Sequence, residues 1–315
     1  MAPVHFTAKK GKPMVVLLGA NGNVTSRLAR LLLAQGHPVR VVGRDARRLE
    51  PLARLGAQAA VGELGDAAFL ASALRGASAV YAMVPPCYGA PAPMAEYARL
   101  GEGIARALAA AGATRVVNLS AIGAHLAAGT GPIVNLHRQE QRLNAIPGLS
   151  VVHLRPGYFF ENHLNAIGII KAYGVYSDLM AAHVPVPSVS TEDIAAVAAR
   201  ELTAVSSGAQ SRVLHLRTAQ LHTAAQAAAI LGRAIGLPHL PYVQAEPAQA
   251  KAGMVQSGIS PAMADLVEEM NEAFVRPEFY AGMNAGPTEI TPRGLEDFAE
   301  TFRSAFQGTG MRDAA

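Results

Sequence analysis

Met14-Val15-Val16-Leu17-Leu18-Gly19-Ala20-Asn21-Gly22-Asn23-Val24-Thr25 decides the fold of this chain of 315 residues. The apolar run has the length of a buried strand. Two glycines then mark a turn, and Val24, Leu28, Leu31 and Leu32 recur at the spacing of one helix face, carrying a helix to about Gln35. Strand, glycine turn and helix in this order bring backbone close to a ligand and aim unpaired N–H groups and the positive end of a helix dipole at it. A pyrophosphate suits that place. The glycines fall as GxxGxxT rather than the usual GxGxxG, so the flanking sequence decides. A second strand, Pro38 to Val42, ends in Gly43-Arg44, where an NAD binder carries an acid for the ribose 2′-hydroxyl. Arg44 suits a 2′-phosphate instead. The stretch therefore predicts NADP(H), with Gly19, Asn21, Gly22, Asn23, Val24 and Arg44 holding it.

Half of the residues are apolar, enough to bury a large core. A single cysteine, Cys87, rules out an intramolecular disulfide framework. The first ten residues lack an apolar signal core, and Gly, Pro, Arg or His interrupts every hydrophobic run before it reaches bilayer length, so a cytoplasmic setting is expected. The formal charge of +4 comes from 27 basic and 23 acidic residues. The arginines are scattered and no basic patch is interleaved with aromatics, so direct nucleic-acid binding is not expected. The expected partner is a small-molecule substrate, with the chain acting as monomer or homodimer. His137 with Glu140 offers two metal ligands where zinc needs three or four, so no metal is expected. Cys87 has no base at a telling spacing and reads as a bystander thiol.

Beyond a polar arm over residues 1–13, strands and helices alternate. The pattern predicts helix Asp45 to Arg54, strand Gln58 to Val61, helix Asp66 to Leu74, strand Ala79 to Val84, helix Met94 to Ala111, strand Arg115 to Leu119, helix Val134 to Ala145 and strand Ser150 to Leu154. Gly56, Gly76 and Gly112 stand where helices end. Alternation of this kind implies an α/β fold with a doubly wound parallel sheet, in the order 3-2-1-4-5-6. Arg155-Pro156-Gly157 stops the sixth strand, and Tyr158 to Ser190 reads as loop-rich. Helix Thr191 to Thr203 and strand Arg212 to Leu216 return to the sheet. Helices Thr223 to Ile235, Ala248 to Gln256, Pro261 to Phe274 after Ser260, and Pro292 to Phe306 after Thr291 follow. Residues 14–155 thus form the dinucleotide domain, joined by 186–220, while 156–185 and 221–315 form a smaller, mostly helical cap, built chiefly from 156–185 and 236–290.

The Gly19-to-Val24 turn, Val42-Gly43-Arg44, the Gly62-Glu63-Leu64-Gly65-Asp66 bend, Asn118-Leu119-Ser120-Ala121, Leu154-Arg155-Pro156-Gly157 and Asp193-Ile194-Ala195 together resemble the NmrA-like branch of the atypical short-chain dehydrogenases/reductases. The likeness spans residues 14 to 306. It implies a Rossmann core and places Glu63, Met83, Val84, Pro85, Ser120, His137, Pro156 and Tyr158 beside the cofactor. The branch holds NADPH-dependent quinone, isoflavone and lignan reductases and also NADP-binding redox sensors without a reaction. Two departures stand out. Thr25 occupies the third glycine place, where its hydroxyl can bond back to the backbone. No tyrosine is followed four residues later by lysine, so the usual Tyr and Lys pair is absent.

His137, early in the helix after the fifth strand, is the nearest match to the missing basic side chain. An imidazole there can bond the nicotinamide ribose or a substrate carbonyl and can carry a proton near neutrality; it can equally be a surface histidine pairing with Glu140. Leu136 and Leu143, seven apart, are expected to bury one face of that helix. Ser120, ending the fifth strand, can bond cofactor or substrate, or simply start a turn. Tyr158 can cover a flat acceptor or serve as core under the cap. These three are the candidate catalytic residues, under a common cleft. The reading is an NADPH-dependent reductase of a small apolar carbonyl, quinone or enone, with a non-catalytic NADP(H) sensor acting through a protein partner as the alternative.

Overall fold

The computed structural model describes residues 12–204 and 210–308; the arm expected over 1–13 lies outside these except for Lys12 and Pro13. Strand β1 (Met14–Leu18) passes through the glycine turn into α1 (Asn23–Ala34). There follow β2 (Val39–Gly43), α2 (Ala46–Arg54), β3 (Gln58–Val61), α3 (Ala67–Leu74), β4 (Ala77–Ala82), α4 (Pro93–Ala110), β5 (Arg115–Leu119), α5 (Ile133–Asn144) and β6 (Ser150–Pro156). Side chains start these helices where the sequence supplies an acceptor. Asp45 takes the Arg47 N–H at 2.9 Å, and Asp66 takes those of Ala68 and Phe69 at 3.0 Å each. Gly56, Gly76 and Gly112 end their helices with positive φ, as expected.

The chain continues with β7 (Tyr158–Phe159), a 3-10 helix (Phe160–Ala166), α6 (Ile167–Tyr173), β8 (Tyr176–Asp178), β9 (Ser188–Val189) and α7 (Thr191–Thr203). Then come β10 (Ser211–Thr218), α8 (Ala224–Ala234), β11 (Tyr242–Gln244), α9 (Pro247–Gln256), α10 (Pro261–Ala273), α11 (Pro277–Ala285), β12 (Thr288–Thr291) and α12 (Leu295–Gln307). Eight strands pair in parallel in the order β12-β10-β6-β5-β4-β1-β2-β3. The expected order of the first six holds, with β10 as the seventh strand. The strand pleat explains the two covered faces. Val15 and Leu17 of β1 pack against α1, α2 and α7 through Leu28, Leu49 and Ile194, whereas Val16 and Leu18 pack against α3, α4 and α5 through Leu70, Ile104 and Leu143.

Four details correct the sequence reading. The eighth strand, β12, lies inside the stretch assigned wholly to the cap, and Thr291 ends this strand instead of capping a helix; α12 starts later, after Gly294. A four-residue strand flanked by Gly, Pro and Thr offers too short a run to show a period of two. Strand β6 runs on through Pro156, because Leu216 of β10 lies opposite and keeps the register. Residues 158–190 are ordered by short pairings, β7 with β9 and β8 with β11, not by loops alone. Finally, Leu136 and Leu143 bury in different clusters, Leu136 beside Ile122 and Ala124 and Leu143 under the sheet.

Two apolar clusters lie beyond the sheet. Phe160, Leu231, Leu240, Phe298 and Phe302 join the 3-10 helix to α8 and α12, while Ala273, Phe274, Phe279 and Met283 of the α10–α11 region sit on Ile122, Ala124 and Ile133 beside the carboxyl end of β5. Three histidines are buried among these elements. The His153 ring accepts from Asn118 at 3.1 Å and donates to Asn144 at 2.9 Å, an arrangement that fits a neutral imidazole. Burial pushes His153, His163 and His215 down to about 4. Unfolded, they titrate near 6.5, so between these values the unfolded chain binds more protons. Their stabilising effect is complete above about pH 6.5 and is lost as pH falls toward 4. The urea midpoint is therefore expected to be lower at pH 5 than at pH 7.5; equal midpoints would show that these rings protonate freely in the folded chain.

Candidate active site

Strand β1 lies between β2 and β4, where the strand order reverses, and outside the carboxyl ends of β1 and β4 is the place where sheets of this kind receive a ligand. Gly19 sits there at φ +71, a left-handed backbone in which any side chain would also run into the Met83 sulfur. The N–H groups of Gly19 and Ala20 both donate to the Val42 carbonyl, at 3.1 and 3.2 Å, and that of Gly22 donates to Gly19 at 3.0 Å. Gly22 is different. Its backbone, at φ −75 and ψ 151, suits any residue, and a Cβ there would meet nothing closer than the Gly19 oxygen at 3.4 Å. The protein leaves the room over Gly22 open.

The first turn of α1 faces the same opening. Ser26 donates back to the Gly22 carbonyl at 2.9 Å, and no side chain caps the helix, so the first-turn N–H groups remain for an anion. Asn21 and Asn23 are exposed and Val24 is buried. Thr25, in the third glycine place, is buried and its hydroxyl donates to the Leu18 carbonyl at 3.4 Å, which lets the helix sit on β1 without a stranded polar group. At the next strand end, the Gly62 N–H donates to the Gly43 carbonyl at 3.0 Å and brings the Glu63 bend beside Arg44. Arg44 and Glu63 are both exposed. Among the described residues Arg44 has no hydrogen bond or ion pair, which leaves its guanidinium available for a phosphate. An uncapped helix start and a turn left open at Gly22 fit a dinucleotide pyrophosphate, and an unengaged arginine fits its 2′-phosphate.

Met83, Val84 and Pro85 follow β4, with Val84 buried. Cys87 nearby is no nucleophile: burial, then the Glu96 carboxylate, pushes its thiol up to about 11. Ser120 is buried just past β5 and donates to Glu140 at 2.5 Å. Glu140 is in turn gripped by Arg155 through two bonds, at 2.9 and 2.5 Å. A carboxylate only accepts, so Ser120 spends its proton on Glu140 and can meet a ligand only as an acceptor. The pairing of His137 with Glu140 does not form. His137 is half-buried and bonds through Nδ1 to the Ala124 carbonyl at 3.0 Å. Because a carbonyl only accepts, Nδ1 carries the hydrogen, and Nε2, without a partner among the described residues, presents a lone pair in the neutral ring.

The Pro156 carbonyl accepts from Ile122 at 2.9 Å, tying the ends of β5 and β6 together. Tyr158 follows, its N–H donating to Pro187 at 2.8 Å and its ring edge-on to Phe274 with centroids 6.5 Å apart. Burial, then the Asp178 carboxylate, raises its phenol well above the usual tyrosine range, so it is a neutral donor. Ser120, His137 and Tyr158 thus gather at one edge of the sheet, His137 and Tyr158 bordering the Ile122, Ala124 and Phe274 cluster. The Glu140 and Arg155 pair was not foreseen. Its signal was legible: an arginine inside the apolar run Val151-Val152-His153-Leu154 needs a buried counter-charge. Among the described residues no group of three or more histidines, cysteines or carboxylates is placed to hold a metal, and no helix is long and apolar enough to cross a membrane.

A family model described as NAD(P)H-binding matches residues 19–204. The chain belongs to the NAD(P)H-binding family. It is 27% identical over 290 residues to an NAD(P)H azoreductase of Xenophilus azovorans, covering 91% of this chain and 96% of the relative. It is 30% identical over 225 residues to a (4-alkanoyl-5-oxo-2,5-dihydrofuran-3-yl)methyl phosphate reductase of Streptomyces griseus, covering 71% and 75%. Its fold is similar to that of an NADPH-dependent quinone oxidoreductase of Escherichia coli solved with NADPH, at TM-score 0.71 and 21% identity, over 91% of this chain and 99% of that one. A triphenylmethane reductase of Citrobacter sp. solved with NADP(H) gives TM-score 0.70 and 18% identity over 92% and 99%.

The open space at Gly22 yields a clean test. Gly22→Val is expected to fold, since its backbone and surroundings accept a side chain, and to lose NADPH binding by at least tenfold, since the branched group fills the approach to the turn. Calorimetry with NADPH beside a thermal melt checks this; a stable variant with full affinity would place the phosphates elsewhere.

Proposed function

We propose that this protein is an NADPH-dependent reductase acting on a small, mainly apolar carbonyl, quinone or enone. One observation carries the reading: the uncapped glycine turn at the end of β1 shares a sheet edge with His137, Ser120 and Tyr158, so cofactor groups and proton-bearing groups converge. The reductase names of the two sequence relatives support it over the sensor alternative. The azoreductase adds azo compounds to the acceptors worth trying.

NADPH supplies a hydride when bound. The residues of the chain bind, orient and protonate. The turn and the first N–H groups of α1 receive the pyrophosphate, and Arg44 receives the 2′-phosphate by a charge-assisted bond. His137, its Nδ1 hydrogen fixed on Ala124, offers Nε2 to a ribose hydroxyl, which explains how a histidine can replace a lysine in orienting the sugar. Ser120, held as an acceptor by Glu140, suits an N–H or O–H of the ligand. Tyr158, kept neutral by burial, is the donor for the reduced oxygen.

Incubating the purified chain with NADPH and a panel of quinones, enones, aldehydes and azo dyes while following loss of nicotinamide absorbance is expected to show turnover with at least one class. Tight NADPH binding without turnover across the panel would favour the sensor. Arg44→Asp is expected to reverse or erase a preference for NADPH over NADH; equal affinity of the unaltered chain for both would refute the role of Arg44. His137→Ala is expected to lower turnover about a hundredfold through lost orientation of the nicotinamide ribose, while His137→Gln, which keeps a hydrogen-bonding group, recovers part of it. Unchanged turnover in both would make His137 a bystander.

A further inference from the structure

Resting on the reductase reading, we propose that His222 and one water molecule held between it and Tyr158 form the route by which the proton used in each turnover enters from solvent. Behind Tyr158, on the cap side, lies a cavity of about 10 Å³ lined by Tyr158, His163, Ser188 and His222, with Met180 and Leu295 among its apolar walls. This is about the space that a single water fills, provided that two to four polar groups hold it. The walls supply them. Ser188 gives its proton to the Val186 carbonyl at 3.1 Å and keeps lone pairs, Tyr158 lines the same cavity, and His222 brings a buried Nδ1 that has no partner among the described residues.

His222 spans the wall between this cavity and the surface. Its side chain is nine-tenths buried, and its carbonyl is pinned by the Val186 N–H at 3.1 Å. Its Nε2 faces the exposed carboxylate of Glu296, on the first turn of α12, at 3.6 Å. One nitrogen therefore meets solvent-side charge while the other meets the cavity. The titratable groups that face it are Glu296 from α12, His163 from the 3-10 helix and Tyr158 from β7. His163 is already engaged through Nδ1 with the Tyr176 hydroxyl at 2.6 Å, and burial keeps it neutral, so it shapes the route without competing for the proton.

The step balances. The acceptor takes a hydride with its two electrons from NADPH, and the developing oxyanion takes the Tyr158 proton as the phenolic O–H bond breaks. The phenolate regains a proton from the water, the water takes one from His222 Nδ1, solvent beside Glu296 returns one to Nε2, and a turn of the ring between turnovers brings an N–H back to the water and resets the relay. Acceptor, NADPH and one proton thus become reduced acceptor and NADP⁺. A phenol buried as Tyr158 is yields a proton slowly unless it is refilled as it gives, which is what a relay provides.

The test uses the full chain with NADPH and a 1,4-benzoquinone. In His222→Gln, kcat is expected to fall tenfold or more with KM and NADPH affinity unchanged, and the D₂O solvent isotope effect on kcat is expected to rise. In His222→Gly, added imidazole is expected to restore kcat. Glu296→Gln, a surface change that leaves the fold intact, is expected to lower kcat to a lesser degree and to raise the isotope effect as well. Normal kcat and isotope effect in these variants, or a lower melting temperature with neither an isotope change nor imidazole rescue, would overturn the relay while the reductase reading stands. If both His222 variants fail to fold, an unchanged isotope effect in Glu296→Gln overturns it. A wild-type chain that binds NADPH but oxidises none of it with any acceptor of the panel overturns both.

Discussion

The left-handed backbone at Gly19 is the constraint from which the site follows. Because the Gly19 and Ala20 N–H groups both reach the Val42 carbonyl, the chain leaves β1 by turning over β2, and α1 can only start at the point where the strand order reverses. That placement sets the helix dipole, the uncapped N–H groups and the open space over Gly22 in one line. A side chain at Gly19 would be refused twice, by φ and by Met83, whereas Gly22 is refused by nothing within the protein. The first glycine is required by the fold, whereas the second is not, which leaves its open space for a ligand.

Charge buried at the neighbouring strand ends follows a different logic. Arg155 and Glu140 lie under the sheet edge at high desolvation cost, and two short bonds with correct geometry offset part of it. Such a pair is weak evidence for stability. Its consequence here is orientation: Ser120 must donate inward, so the surface that it offers to a ligand is fixed in polarity as well as in position. His137 is treated in the same way by the Ala124 carbonyl, which selects its tautomer. Two side chains that are ambiguous by chemistry have the hydrogen of one atom fixed through single contacts.

The fold was largely legible because its signals are local and repeated. Five apolar residues of β1, capping aspartates at 45 and 66, and glycines at 56, 76 and 112 each act over one turn, and each agrees with the alternation of strand and helix. What escaped notice depends on partners distant in sequence. Strand β12 exists because β10 offers it an edge, and β7 and β8 exist because residues 188 and 242 come back to pair with them. The cofactor turn could be read from twelve consecutive residues, whereas the partners of Ser120, His137 and Tyr158 lie 20, 13 and more than a hundred residues away. Residue type suggested their chemistry; only the packing of α5 and α10 against the strand ends decides which atom of each is free.

That decision bears on the absent Tyr and Lys pair. A tyrosine four residues before a lysine places donor and orienting group on one helix, where they move together. In the proposed function the roles divide between α5, carrying His137, and β7, carrying Tyr158, and the two elements are joined through the Ile122, Ala124 and Phe274 cluster. On the proposed reading the proton donor lies off the cofactor-binding helix, beside the cavity that residues of α8 and α12 help to line. Replenishment from the cap side then requires no contact with the dinucleotide at all, so the cap can vary with the acceptor while the glycine turn stays as it is.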